Sequence, residues 1–208
     1  MMRKILFITH HDGFTGSSKS LLALLEGLLS FNIEPFVILP HKGLLQKKMD
    51  DIGIKSQVLP VVYWVSKKKN KLYETGRFIL KFPLSLVRTY KKMKEWDIDL
   101  VYTNSSVYPI GRMVSFLGKI PHIWHIREFG DLDFSYKYIL PDLIAKKFIS
   151  SSNAIICNSY AVKNYHFENK LNKKISVIYN GIAQEKDFNF YREEKQNKQN
   201  NGSFIFLI

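Results

Sequence analysis

Five short apolar runs in this chain stop abruptly at polar side chains able to bind or activate a ligand. The polar ends are Thr9-His10-His11-Asp12-Gly13, Asn104-Ser105-Ser106, His125 with Arg127 and Glu128, Asn158-Ser159, and Asn180-Gly181. If the runs are parallel strands of an open α/β sheet, ligands bind outside their carboxyl ends. The polar tips then converge on one rim, where His11, Asp12, Asn104, Ser105, Arg127 and Glu128 are candidate contacts to a substrate. Polar loop tips are common in α/β proteins, so convergence alone is a modest signal.

His125 is the most pointed of these residues. In Ile123-Trp124-His125-Ile126-Arg127-Glu128, strand alternation puts Trp124 and Ile126 on one face, His125 and Arg127 on the other. A histidine among apolar neighbours is also a common structural residue, and Arg127 and Glu128 could simply pair at the surface. The loop Gly13-Phe14-Thr15-Gly16-Ser17-Ser18 offers a second chemistry. Glycine allows close backbone approach, and the unpaired N–H groups of a following helix favour an anion. The loop lacks both the G-x-G-x-x-G fingerprint and the G-K-[ST] ending of a Walker loop. A plain β-to-α turn with a Ser/Thr cap explains it equally well.

These residues need a scaffold, and the pattern supplies one. Strands are expected at 4–9, 34–39, 56–59, 99–103, 122–126, 154–158 and 175–179. Helices are expected at 17–30, 44–52, 83–96, 110–117 and 161–170, and mainly over 134–151 with a break near Pro141. Pro83 would sit in the first turn of its helix, Gly53 and Gly118 at helix ends. The alternation argues for a Rossmann-like, doubly wound, mainly parallel sheet flanked by helices. From about 189 the chain turns polar and Asn/Gln/Lys-rich, and a fresh apolar run, Phe204-Ile205-Phe206-Leu207-Ile208, follows. The expected organisation is a domain over 1–188, a linker over 189–203 and the first strand of a second domain over 204–208.

The formal net charge is +13, and residues 66–95 hold ten Lys/Arg against two Glu. Such a patch points to an anionic partner. Within it, Leu86, Tyr90 and Met93 share a helical face while Arg88, Lys91 and Lys92 lie elsewhere. The segment is either a helix packed on the sheet with a solvated basic back, or an interfacial helix facing anionic lipid through Arg88, Lys91 and Lys92, helped by Lys67-Lys68-Lys69. The single cysteine, Cys157, excludes an internal disulfide and reads as a buried thiol. No Cys/His cluster suggests a metal. The opening Met1-Met2-Arg3-Lys4 precedes too short an apolar run for a secretory signal, and no run is long enough to span a bilayer. A soluble, cytoplasmic protein is expected, peripheral on the membrane at most.

Taken in order, several motifs resemble one family. Thr15-Gly16-Ser17-Ser18-Lys19-Ser20-Leu21-Leu22, Val37-Ile38-Leu39-Pro40 and Gly43-Leu44-Leu45 are similar to the opening of the family-four retaining glycosyltransferases of GT-B architecture. Asp99-Leu100-Val101-Tyr102-Thr103-Asn104 and Ile120-Pro121-His122-Ile123-Trp124-His125 look like that family's middle strands. Asn158-Ser159-Tyr160-Ala161-Val162 and Val177-Ile178-Tyr179-Asn180-Gly181-Ile182 resemble its later signatures. The resemblance implies one lobe of two facing Rossmann-like domains, this one binding the acceptor and the other most of a nucleotide-sugar donor. It implies transfer with retained anomeric configuration and no bound metal or other cofactor. The acceptor would be a glycan or lipid-linked precursor of a surface polysaccharide. By the same resemblance His125 contacts the transferred sugar, and Thr15, Gly16 and Ser17 approach the donor phosphates. Two departures stand out. The commoner double glycine is Thr15-Gly16 here, and the family's E-x7-E glutamates and phosphate-binding Arg/Lys belong to the other lobe, so no transfer by this chain alone is expected.

Two other readings compete. A nicotinamide-dependent oxidoreductase would need the glycine fingerprint, and Tyr160-x-x-Lys163 is one residue short of the Tyr-x-x-x-Lys pair. A non-enzymatic basic module could bind anionic membrane or nucleic acid, but no nucleic-acid motif is present and the aromatics are core-like, so nucleic acid is not expected.

Overall fold

A computed structural model describes residues 2–10, 13, 15–67, 71–167 and 174–181. The expected linker and final strand beyond 188 lie outside them, as do His11, Asp12, Lys68 and Lys69. In chain order the elements are β1 (Arg3–Thr9), α1 (Gly16–Leu28), β2 (Ile33–Leu39), α2 (Leu44–Asp51), β3 (Lys55–Val58), β4 (Val65–Lys67), α3 (Lys71–Glu95), β5 (Leu100–Asn104), α4 (Ile110–Gly118), β6 (His122–Ile126), α5 (Asp131–Phe134), β7 (Tyr136–Tyr138), α6 (Asp142–Ser150), β8 (Ala154–Cys157), α7 (Tyr160–Phe167) and β9 (Ile175–Val177).

Seven strands form one parallel sheet in the order β3-β2-β1-β5-β6-β8-β9. The order reverses at β1, which pairs with β2 on one side and β5 on the other. The crevice between the ends of β1 and β5 is therefore the switch point where a ligand is expected. Strands covered on both faces read as continuous apolar runs rather than alternating ones. Leu6-Phe7-Ile8 and Phe36-Val37-Ile38-Leu39 are such runs, and all seven residues are buried.

Odd and even positions feed opposite layers. Leu6, Ile8, Phe36, Ile38 and Val101 meet Met93 of α3 with Ile110 and Val114 of α4. Phe7, Val37, Leu39 and Tyr102 meet Leu21, Leu22 and Leu25 of α1 with Leu45 and Met49 of α2. A third cluster joins Trp64, Trp124 and Ile126 to Ala145 and Ile149 of α6. Cys157 belongs to it and is fully buried, and burial pushes its thiol up to about 11.

The structure departs from the sequence expectation in two places. The helix expected to start at Pro83 is 25 residues long, with Pro83 inside it. Proline lacks the N–H that would bond the carbonyl of Ile79. Pro83 lies on the exposed side, where water can satisfy that carbonyl. Second, the part of 134–151 before Pro141 is not helix: after the end of α5 it forms β7, and the helix expected there is α6 alone. β7 pairs antiparallel with β4, matching Val65 to Tyr138 and Lys67 to Tyr136. Pro141 caps the start of α6 instead of interrupting a helix.

Glycine matters at two helix positions. Gly53 has φ +74° after α2, the left-handed conformation expected of a helix stop. Gly111 brings α4 against β5 so closely that a Cβ would collide with Thr103 Oγ1. Gly118 behaves differently from expectation: it is the last helical residue, pressed against Met93, and Lys119 takes the left-handed cap at φ 55°.

Candidate functional site

Three neighbouring strand tips carry the polar residues. Asn104-Ser105-Ser106 follows β5, Arg127-Glu128 follows β6, and Asn158 follows β8. The Ser105–Ser106 turn is fixed from two directions. Glu128 Oε1 accepts from Ser105 Oγ at 2.7 Å, Ser106 N–H at 2.6 Å and Ser106 Oγ at 2.7 Å. On the other side Trp64 Nε1 donates to Ser106 O at 2.7 Å and Trp124 Nε1 to Ser105 O at 2.8 Å. The two indoles stack with centroids 6.0 Å apart. A buried carboxylate that gathers three donors is held in one geometry, because each bond to its charge exceeds a neutral one.

Arg127 ties the rim together. Its Nε donates to Asn104 Oδ1 at 2.7 Å, and its Nη1 to Ser20 Oγ at 3.0 Å and Asn180 Oδ1 at 2.7 Å. The acceptors are neutral oxygens from the tip of β5, the first helix and the segment after β9. The alternative of a surface pair between Arg127 and Glu128 does not hold: no carboxylate lies within ion-pair distance of this guanidinium among the described residues. Asn158 Nδ2 donates to Arg127 O at 2.9 Å, which fixes the backbone as well.

His125 sits behind this rim, 5% exposed. Burial, and the positive charge of Arg127 next, hold its pKa down to about 3. Tyr102 Oη lies within hydrogen-bond contact of its Nδ1, and burial pushes the Tyr102 hydroxyl up to about 12. With the protonated phenol donating, Nδ1 accepts and the imidazole proton resides on Nε2. That Nε2 has no protein partner among the described residues, and neither has Asn104 Nδ2 or Asn158 Oδ1. Buried polar atoms are nearly always paired. The three atoms sit on three adjacent strand tips, beside the Arg127 rim.

In front of the rim is a cavity of about 270 Å³. Ser17, Ser105, Arg127 and Glu128 line it, all of them legible in the sequence as candidates. The facing wall is aromatic, made of Tyr63, Phe134 and Tyr136. The β4–β7 pair and α5 place that wall, which sequence reading missed because a strand of three residues has no periodicity of its own.

The glycine loop arrives at the same crevice. Thr15 caps α1 with extended backbone and makes no side-chain bond to the first-turn N–H groups. Its hydroxyl instead lies 3.2 Å from Ser17 Oγ. A Cβ on Gly16 would meet nothing within 4 Å, so the space over this helix start is open. Arg88 and Lys91 are exposed on α3. Lys92 is half-buried, 2.8 Å from Glu95 Oε1 and over the Trp96 ring. No group of three or more His, Cys, Asp or Glu placed to hold a metal occurs among the described residues.

With this geometry in hand, comparison with known proteins is decisive on one point. The sequence profile described as Glycosyltransferase Family 4 matches residues 14–186. The chain belongs to glycosyltransferase family 4. No curated protein sequence matches it. Among solved structures, this family-4 chain is similar to Anabaena HepE in complex with UDP-glucose, at 17% identity and a TM-score of 0.62, covering 94% of this chain and 50% of that one. A glycosyltransferase from Rickettsia africae aligns at 18% identity and a TM-score of 0.58, covering 93% and 49%. The UDP-GlcNAc 2-epimerase of Neisseria meningitidis bound to UDP-GlcNAc aligns at 15% identity and a TM-score of 0.57, covering 95% and 53%. At such identities the likeness establishes the Rossmann-like lobe of a GT-B fold. The family-4 chain spans about half the length of these neighbours.

Proposed function

We propose that this chain is the acceptor-side half of a retaining glycosyltransferase that moves a sugar from a nucleotide-sugar donor to a glycan or lipid-linked acceptor in surface-polysaccharide synthesis. The observation that carries the reading is the cavity at the switch point, with a charged and hydroxyl rim facing an aromatic wall. Sugar rings present C–H faces that pack on aromatics and hydroxyls that need fixed acceptors and donors. Tyr63, Phe134 and Tyr136 serve the first need; Glu128, Arg127 and Ser105 serve the second.

In this reading the cleft closes when a donor-binding lobe covers the rim. Asn104 and Ser105 hold the acceptor beside Glu128 and Arg127. The N–H groups after Thr15, at Gly16 and Ser17, approach the donor phosphates. His125 presents a neutral Nε2–H to the transferred sugar; kept neutral, it donates a hydrogen bond without competing for the acceptor's proton. Configuration is retained, and no metal is required for this half of the cleft. The chain alone does not turn over sugar nucleotides, since the groups that stabilise the leaving phosphate lie in the other lobe.

The test is radiolabelled sugar transfer from a panel of nucleotide sugars to glycan and lipid-linked acceptors, with the chain alone and joined to a donor-binding lobe. Transfer only by the two-lobed protein, with retained configuration by NMR, is the expected result. Turnover by the chain alone would sink the half-enzyme reading. Epimerised nucleotide sugar without transfer to any acceptor would sink the transferase reading.

A further inference from the structure

The helix α3 is apolar on two opposite sides, and only one of them is used by the fold. Phe82, Leu86, Tyr90 and Met93 pack inward against the sheet. On the far side Tyr73, Leu80, Leu84 and Val87 recur at spacings of seven, four and three, which places them on one face. They are 72%, 81%, 54% and 51% exposed. A surface helix normally puts polar residues there, and among the described residues nothing covers this stripe.

Charge identifies the partner. The helix carries seven Lys/Arg and two Glu, and both glutamates are taken, Glu74 by Arg77 and Glu95 by Lys92. Lys71, Lys81, Arg88, Lys91 and Lys94 have no carboxylate in ion-pair reach among the described residues. Helical spacing sets Arg77, Lys81 and Arg88 along one border of the stripe, and Lys91 at its end, one turn beyond Val87. Apolar side chains bordered by unpaired cations match an anionic bilayer surface, where the stripe enters the acyl boundary and the cations meet lipid phosphates. A second copy of this chain would oppose like charges. Nucleic acid would answer the cations and leave the stripe wet. No helix of the described residues is long and apolar enough to cross a membrane, so α3 would lie in the membrane plane, over a length of roughly 37 Å at 1.5 Å per residue.

We propose that the outer face of α3, through Tyr73, Leu80, Leu84 and Val87 with Lys81, Arg88 and Lys91, is a docking surface for an anionic lipid bilayer. This assignment does not depend on sugar transfer; it keeps Arg88 and Lys91 in the contact and leaves out Lys92, which pairs with Glu95.

The experiment is co-sedimentation of the protein with vesicles of phosphatidylcholine plus phosphatidylglycerol, against phosphatidylcholine alone and against duplex DNA. Binding to the phosphatidylglycerol vesicles, weakened by salt, is expected. Leu80→Glu/Leu84→Glu should lower it at least tenfold, and Arg88→Gln or Lys91→Gln about fivefold each. Far-UV CD and the urea midpoint should stay at wild-type values, because these side chains are exposed; a milder Leu80→Ser/Leu84→Ser pair repeats the test should the first variant misfold. Quenching of Leu84→Trp fluorescence by brominated lipid should report insertion. The proposal is overturned by absence of sedimentation at low salt, or by vesicle binding indifferent to the Leu80/Leu84 changes. It is also overturned by tighter capture of duplex DNA, or by stripe variants that only turn a dimer into a monomer.

Discussion

Acidification is the sharpest perturbation of this fold, because β6 keeps two buried histidines neutral, one at its start and one beside the rim. His122 is fully buried between Thr103 Oγ1 at 2.8 Å and Ser152 Oγ at 2.9 Å. Burial, then the charge of Arg112, holds its pKa down to about 3; His125 is held down to about 3 by burial and Arg127. In the unfolded chain both take up a proton near 6.5. The unfolded state therefore binds more protons than the folded one between 6.5 and 3. Stability is full above 6.5 and is lost as pH falls through that window. Each pH step below 6.5 costs about 1.4 kcal/mol per histidine. Going to about pH 5 should cost about 2 kcal/mol for each histidine and about 4 for the pair. Burial also lowers the pKa of His166, which adds in the same direction. Urea denaturation at a series of pH values measures the slope, and His122→Gln and His125→Gln should each remove one histidine's share. Imidazole NMR should show His125 neutral at about pH 5, and Tyr102→Phe, which deletes a donor to the neutral form, should raise its pKa. A flat stability profile between about pH 7.5 and 5, or a His125 ring that titrates near its ordinary value, would refute the reasoning.

Three further outcomes are expected. Gly111→Ala should destabilise the fold by about 2 kcal/mol despite alanine's better helix propensity, because its Cβ overlaps Thr103 Oγ1; in a Thr103→Ala background the urea midpoint should shift far less. Glu128→Gln should cost about 2 kcal/mol in the same assay by weakening three charge-assisted bonds, and should lower acceptor affinity in the two-lobed protein. Phe134→Ala should leave stability near wild type, since its ring is half-exposed, while raising the acceptor KM about tenfold through loss of a stacking wall.

Much of this architecture can be read from the residues. Five of the seven main-sheet strands follow from apolar runs closed by polar tips, and α1 from Leu21, Leu22 and Leu25 at helical spacing. Rim residues Asn104, Ser105, Arg127 and Glu128 were identifiable because strand ends share one side of a parallel sheet. Long-range partnerships were not. β4 and β7 are three residues each and pair across a separation that no local pattern reports, and with them the wall of Tyr63, Phe134 and Tyr136 stayed hidden. Trp64 and Trp124 read as core aromatics, yet their indole N–H groups hold the Ser105–Ser106 turn. The first half of α3 was missed because Pro83 signals a helix start, and a proline on a wet face can instead be tolerated inside.

The buried thiol of Cys157 has a practical corollary. A sulfhydryl sealed in the core, and protonated until about 11, is a poor nucleophile toward maleimides at neutral pH. A new cysteine on a solvent-facing position would therefore react essentially alone, with no need to strip the native one first. Probes at Leu84 and beside the crevice at Ser17 could then report lipid contact and lobe closure separately, each from a single attachment point.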